Sequence, residues 1–131
     1  MLANELMSLV TVLALALYAF MGFRVGEARV KFNVAAPATT GHPEFERTFR
    51  VQQNTLEGLA LFLPSMWLFA SFVNAWAAAI LGAVWIVGRF MYMQGYVRAA
   101  NERSTGFTIQ AIAVVVLLAG SLLGILWSII T

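Results

Sequence analysis

No charged side chain occurs between Glu57 and Arg89, a run of 31 neutral residues. As one helix this run would extend about 46 Å, well beyond a hydrocarbon core about 30 Å thick. A hairpin is therefore expected, turning near Asn74, the one strongly polar residue in its middle. Each charge-free arm then covers only about 22 to 25 Å, so helix two has to begin before Glu57 and helix three has to continue past Arg89. Both charges consequently lie in the membrane zone or at its edge. They sit 17 and 15 residues from Asn74, at similar depth, and could pair across the two antiparallel helices.

The rest of the chain extends this pattern. Leu6 to Phe23 is uncharged over 18 residues, and a last apolar stretch runs from about Phe107 to Ile130. A composition of 61% hydrophobic and 11% charged residues excludes a water-soluble fold of this size. The length leaves room for about four spans and no separate soluble domain. The expected fold is an all-α integral membrane protein, a four-transmembrane-helix bundle forming a single domain over 1–131. Its spans are expected at about 5–24, 51–73, 75–97 and 106–130. The N-terminus lacks the basic region of a secretory signal, so the first span reads as retained.

Between Arg24 and Arg50 lie five of the eight basic residues and three of the six acids, with Pro37, Thr39, Thr40, Gly41 and Pro43 among them. That segment reads as a solvent-side connection. Apart from Glu5, every charge falls in the first or third connection or in the helix ends adjoining them, and in a four-span protein those share one side. The positive-inside bias makes that side cytoplasmic, and a bacterial inner membrane is expected. A net charge of +2 is too small to suggest nucleic acid as a partner.

Two polar stripes stand at the depth of the membrane edge. On helix two, Arg50, Gln53 or Asn54, and Glu57 fall at i, i+3/i+4 and i+7, along one face. On helix three, Arg89, Tyr92 and Tyr96 continue toward the segment 99–103. Ionised groups at such depth are costly unless paired or hydrated, so they should face the bundle interior or a wet pocket. An ion pair of Glu57 with Arg89 that only fixes the helices accounts for those two residues. It leaves Arg50, Gln52, Asn54, Tyr92, Tyr96, Arg98 and Arg103, which carry far more donors than one carboxylate can use. Such a set suits a small anionic, strongly hydrogen-bonding ligand, and the planar fork of arginine suits carboxylates in particular.

Other features point elsewhere. There is no cysteine, so thiol chemistry would need a thiol brought by a ligand. His42 has no second His or Cys nearby to complete a metal site and is expected to be an exposed loop side chain. Trp67, Trp76, Trp85 and Trp127 read as packing and interfacial anchors, and the methionines as core filler. Gly120 and Gly124 form a GxxxG, which either permits close helix approach or reflects the abundance of glycine in membrane helices. No phosphate-cradling loop, nucleophile elbow or metal-ligand pair is present.

The segment Thr39-Thr40-Gly41-His42-Pro43-Glu44-Phe45-Glu46-Arg47-Thr48-Phe49-Arg50-Val51-Gln52-Gln53-Asn54, followed by Glu57 and Leu61-Phe62-Leu63, closely resembles the signature of the MAPEG family. These are the membrane-associated proteins of eicosanoid and glutathione metabolism. A second block, Gly88-Arg89, Tyr92, Gln94-Gly95-Tyr96 and Arg98 to Arg103, is similar to the third helix and following connection of the branch that contains leukotriene-C synthase and microsomal glutathione transferase 2. The resemblance implies a homotrimer holding glutathione between neighbouring subunits near the cytoplasmic side. It implies that Arg50, Gln52, Asn54 and Glu57 grip the tripeptide from helix two, Tyr92 and Tyr96 from helix three, and Arg29 from the first connection. It implies that Arg103 faces the glutathione sulfur. A lipophilic electrophile or lipid hydroperoxide would be the second substrate, conjugated or reduced with no metal involved. The chain departs from the family pattern at Thr55, where relatives often have cysteine, at Gly58, where an aromatic ring is expected, and at Val30, a second arginine in leukotriene-C synthase. A general detoxifying transferase or peroxidase is the activity this implies.

Two other function classes fit four short helices. A small proton-coupled multidrug exporter would need an accessible membrane carboxylate, for which Glu57 is the candidate. A non-catalytic lipid-binding member would keep the fold without thiol activation.

Overall fold

The computed structural model describes residues 1–131. Four helices, α1 (Leu2–Phe32), α2 (Pro43–Phe72), α3 (Ala75–Arg98) and α4 (Ser104–Ile130), account for nearly the whole chain, with a 3₁₀ turn at Ala100–Arg103 leading into α4. Each helix is long and apolar enough to cross a membrane. The α2–α3 hairpin is central, with α1 packed on one side of it and α4 on the other.

The hairpin turns at Asn74, as the charge-free run requires. Val73 and Asn74 both donate backbone N–H groups to the Phe69 carbonyl, closing α2, and Asn74 Oδ1 accepts from the Ala77 N–H at 2.9 Å to start α3. Helix α2 does begin before Glu57, and α3 does continue beyond Arg89 to Arg98.

The first connection differs from expectation. Helix α1 runs on to Phe32, so Arg24, Glu27, Arg29 and Lys31 are helical, and the connection is only residues 33–42. Alanine, glutamate, arginine and lysine are good helix formers, and Arg24 pairs with Glu27 one turn on at 3.8 Å. The helix stops where its breakers begin, at Asn33, which takes the left-handed conformation (φ 55°, ψ 49°). His42 is also not an exposed loop side chain. It caps α2, its Nδ1 accepting from the Glu44 N–H at 3.1 Å, and its ring stacks on Phe32 at 4.0 Å. Pro43 at the first helical position and Glu44 and Glu46 in the first turn complete a strong start.

The core runs between all four helices through Met7, Ala14, Phe62, Met66, Trp85 and Leu117. Phe62 and Trp85 stack at 4.2 Å with nearly parallel rings, so Trp85 is a packing residue, whereas Trp76 and Trp127 lie exposed. Gly120 and Gly124 of the GxxxG admit the Phe69 ring and the Phe72 carbonyl, which places that motif in the contact of α4 with α2 of the same chain. Only 29 of the 131 residues are buried, so most apolar side chains face outward, as a lipid-embedded bundle requires.

Candidate functional site

The polar band begins on α2. Arg50, Asn54 and Glu57 lie on one face, and Arg50 Nη1 donates to Glu57 Oε1 at 3.2 Å across two turns. Both side chains are about half exposed. The expected pair of Glu57 with Arg89 does not form. Arg89 is 2% exposed, and its Nη1 donates instead to Asn54 Oδ1 at 2.7 Å. Arg89 thus meets Asn54, one turn from Glu57 along the same face of α2, while Glu57 is taken by Arg50. Arg89 Nε is buried without a partner.

From Arg89 the band continues down α3 as a ladder of cations and rings. The Arg89 guanidinium lies 4.8 Å from the Tyr92 ring, Tyr92 and Tyr96 are 5.5 Å apart, and the Arg103 guanidinium lies 5.4 Å from the Tyr96 ring. Cation–π contacts of this kind hold a guanidinium over a ring without using its donors. Arg103 Nη1 donates to the Ala100 carbonyl, which leaves its other N–H groups available. The close approach that brings Arg103 to Tyr96 depends on two glycines. A side chain on Gly95 would collide with the Glu102 carbonyl, and one on Gly106 with the Tyr92 backbone.

Gly58 has a local reason too. A Cβ there would stand 2.9 Å from Arg89 Nη2, so the space beside residue 58 is filled by the guanidinium. Below it a groove of about 300 Å³ opens between α2 and α4, lined by Glu57, Gly58 and Arg89 at its polar end and by Leu61, Val114 and Val115 farther in. Phe107 and Gln110 of α4 also line it, and no sequence pattern singled these out. Gln110, the lone amide in an apolar span, was the available signal.

Six of the eight expected binding and catalytic residues, Arg50, Asn54, Glu57, Tyr92, Tyr96 and Arg103, thus share one continuous band. Arg29 and Gln52 do not join it. Gln52 is on the side of α2 that faces α1, where a Cβ on Gly22 would be 3.1 Å from its Nε2. Arg29 ends α1, its Nη1 donating to the Val34 and Ala38 carbonyls at 3.3 and 2.7 Å with its guanidinium over the Phe45 ring.

Four membrane-length helices that gather arginines, tyrosines and amides at one end make a multi-pass integral membrane protein with a cation-rich polar band. Comparison with known proteins places it more narrowly. The MAPEG family model matches residues 7–123. An uncharacterized protein of Synechocystis is 51% identical over 120 residues, covering 92% of this chain and 88% of that one. Human microsomal glutathione S-transferase 2 is 42% identical over 102 residues, covering 78% of this chain and 69% of its own. Bovine leukotriene C4 synthase is 40% identical over 121 residues, covering 92% and 81%. The chain belongs to the MAPEG family.

Proposed function

We propose that this protein is a membrane-bound glutathione transferase that activates the glutathione thiol for conjugation to lipophilic electrophiles, with glutathione peroxidase activity from the same thiolate. The observation that carries the proposal is the band itself: three arginines, two tyrosines, an amide and a carboxylate aligned at one end of the bundle, with Arg50–Glu57 the one ion pair among them. The relatives named for glutathione transfer and leukotriene synthesis support the same ligand.

In this reading Arg50, Asn54 and Glu57 hold the charged ends of the tripeptide, and Tyr96 lines its bed, backed by the buried Tyr92. Arg103 then stands beside the sulfur. A free thiol with pKa near 8.5 is mostly protonated at neutral pH, and the thiolate is the nucleophile. A guanidinium next to sulfur favours the thiolate by about 1.4 kcal/mol for each unit of pKa depression. The thiolate attacks the electrophilic carbon, forming the C–S bond as a leaving group departs or an epoxide opens. With a hydroperoxide it attacks the terminal oxygen, the O–O bond breaks and the alkoxide leaves as the alcohol, and a second glutathione then converts the sulfenic acid to disulfide and water. The apolar part of the co-substrate lies along the α2–α4 groove.

A homotrimer accounts for Arg29 and Gln52, which one chain directs away from the band. On a neighbouring subunit they can close the site from the other side. The site faces the cytoplasm of a bacterial inner membrane by the charge bias of its two connections. The Arg50–Glu57 pair supports transfer over export, because the carboxylate an exporter would offer a cationic substrate is already engaged by a guanidinium.

The test is conjugation of glutathione to a chloronitrobenzene by purified protein, together with calorimetric titration of glutathione. Turnover lost in Arg103→Ala with glutathione binding retained is the expected result. Absence of both binding and turnover in the unmodified protein would refute the reading.

A further inference from the structure

A second groove, of about 390 Å³, lies between α1 and α3. It shares no residue with the polar band. Its floor is apolar, with Phe20, Met21, Val51, Phe90 and Met93, and its rim carries Arg24 and Arg98. The polarity is graded along the membrane normal. Phe20 and Met21 are about one turn deeper than Arg24, and Phe90 is two turns deeper than Arg98, because the charged ends of both helices lead into the connections. An amphiphile with an anionic head at the membrane edge and an acyl chain inward has the same gradient.

The two arginines are prepared for an anion. Arg24 meets Glu27 at 3.8 Å and Arg98 meets Glu102 at 3.1 Å, in each case through Nε. The Nη groups of both remain free, and exposed pairs of this kind are weak and easily exchanged. The Arg24 guanidinium is held over the Phe20 ring at 5.9 Å, at the mouth of the groove. Arg47 Nε donates to the Val97 carbonyl at 3.2 Å, tying α2 to α3 under the rim. Thr48 and Gln94 add neutral polar groups to the same lining. Two guanidinium forks around one opening suit a phosphate, which each can meet bidentately.

We infer that the α1–α3 groove binds the headgroup phosphate of an anionic phospholipid, with the first part of an acyl chain on its apolar floor. This does not depend on the glutathione reading. The experiment compares retained lipid by native mass spectrometry after reconstitution into nanodiscs of phosphatidylcholine with phosphatidylglycerol. The unmodified protein should retain phosphatidylglycerol preferentially. Arg24→Ala/Arg98→Ala should weaken that retention about 30-fold, the effect of two basic groups at an anionic surface. Arg24→Lys/Arg98→Lys, which keeps the charge but loses the bidentate forks, should fall between the unmodified protein and the alanine variant. Unchanged retention in the alanine variant, or equal retention of the two lipids by the unmodified protein, overturns the inference. Release of the bound lipid by inorganic phosphate alone also overturns it, because it marks a site for the soluble ion.

Discussion

Asn54 receives a hydrogen bond from Arg89 at 2.7 Å, and a guanidinium can only donate. The carbonyl oxygen of Asn54 is therefore fixed toward α3, which leaves its amide N–H groups as donors for the proposed tripeptide. Asn54→Asp separates structure from binding. Its carboxylate gives Arg89 the counter-charge it lacks, so thermal stability should hold or rise, while the ligand meets an acceptor in place of a donor. Losing a hydrogen bond to a charged group costs about 1.5–3 kcal/mol, so glutathione affinity by calorimetry should fall roughly 10- to 100-fold. At Arg103 the sign is set by the thiol. In the proposed site the guanidinium would hold the bound thiol's pKa below the free value, so turnover would be maintained to lower pH. Arg103→Ala should move the pH–rate profile about 1–3 units upward, read in parallel from the ultraviolet absorbance of bound thiolate. Counting residues from Asn74 places Glu57 and Arg89 at one depth, and that much was legible. Which side chain Arg89 meets depends on how α2 and α3 pack, where a step of one turn along α2 exchanges Glu57 for Asn54, and no residue count resolves it.

At the scale of elements, the junction of α3 with the 3₁₀ turn and α4 positions Arg103. Gly95 and Gly106 let backbones touch there, and a methyl group added at either point meets main chain that cannot rotate away. Gly95→Ala and Gly106→Ala should each destabilise the protein by about 1–3 kcal/mol, the usual cost of overpacking, and should lower turnover more than glutathione binding. Gly26 is the control. A Cβ there meets nothing within 4 Å, so Gly26→Ala in the middle of α1 should hold or gain up to about 1 kcal/mol. Detergent-resistant thermal unfolding distinguishes the three. The span count, the turn at Asn74 and the overrun of α2 and α3 past their charges follow from hydropathy and a bilayer of fixed thickness. The reach of α1 to Phe32 does not, because its last turns lie beyond the uncharged run, where helix formers and the stop at Asn33 decide. The glycine contacts were equally hidden, since a glycine's neighbour is a property of packing.

For the whole molecule, the division of eight expected residues into six on one band and two elsewhere has a consequence for assembly. Arg29 and Gln52 belong to the α1–α2 side of a chain, while Arg50, Asn54 and Glu57 belong to the outward face of α2. In a cyclic trimer with head-to-tail interfaces, the band of each subunit meets the α1–α2 side of the next. Two defective chains can then repair each other. Arg50→Ala/Arg103→Ala removes the band and leaves the partner side intact; Arg29→Ala/Gln52→Ala does the reverse. Each variant alone should be inactive as a homotrimer. Co-expressed in equal amounts and randomly mixed, about one interface in four pairs two intact sides, so about a quarter of unmodified turnover should return. Both variants must assemble with unmodified subunits for the comparison to hold, and tagged co-purification checks that directly. If the whole site were built within one chain, each subunit in the mixture would carry its own defect, and no activity would return at any mixing ratio.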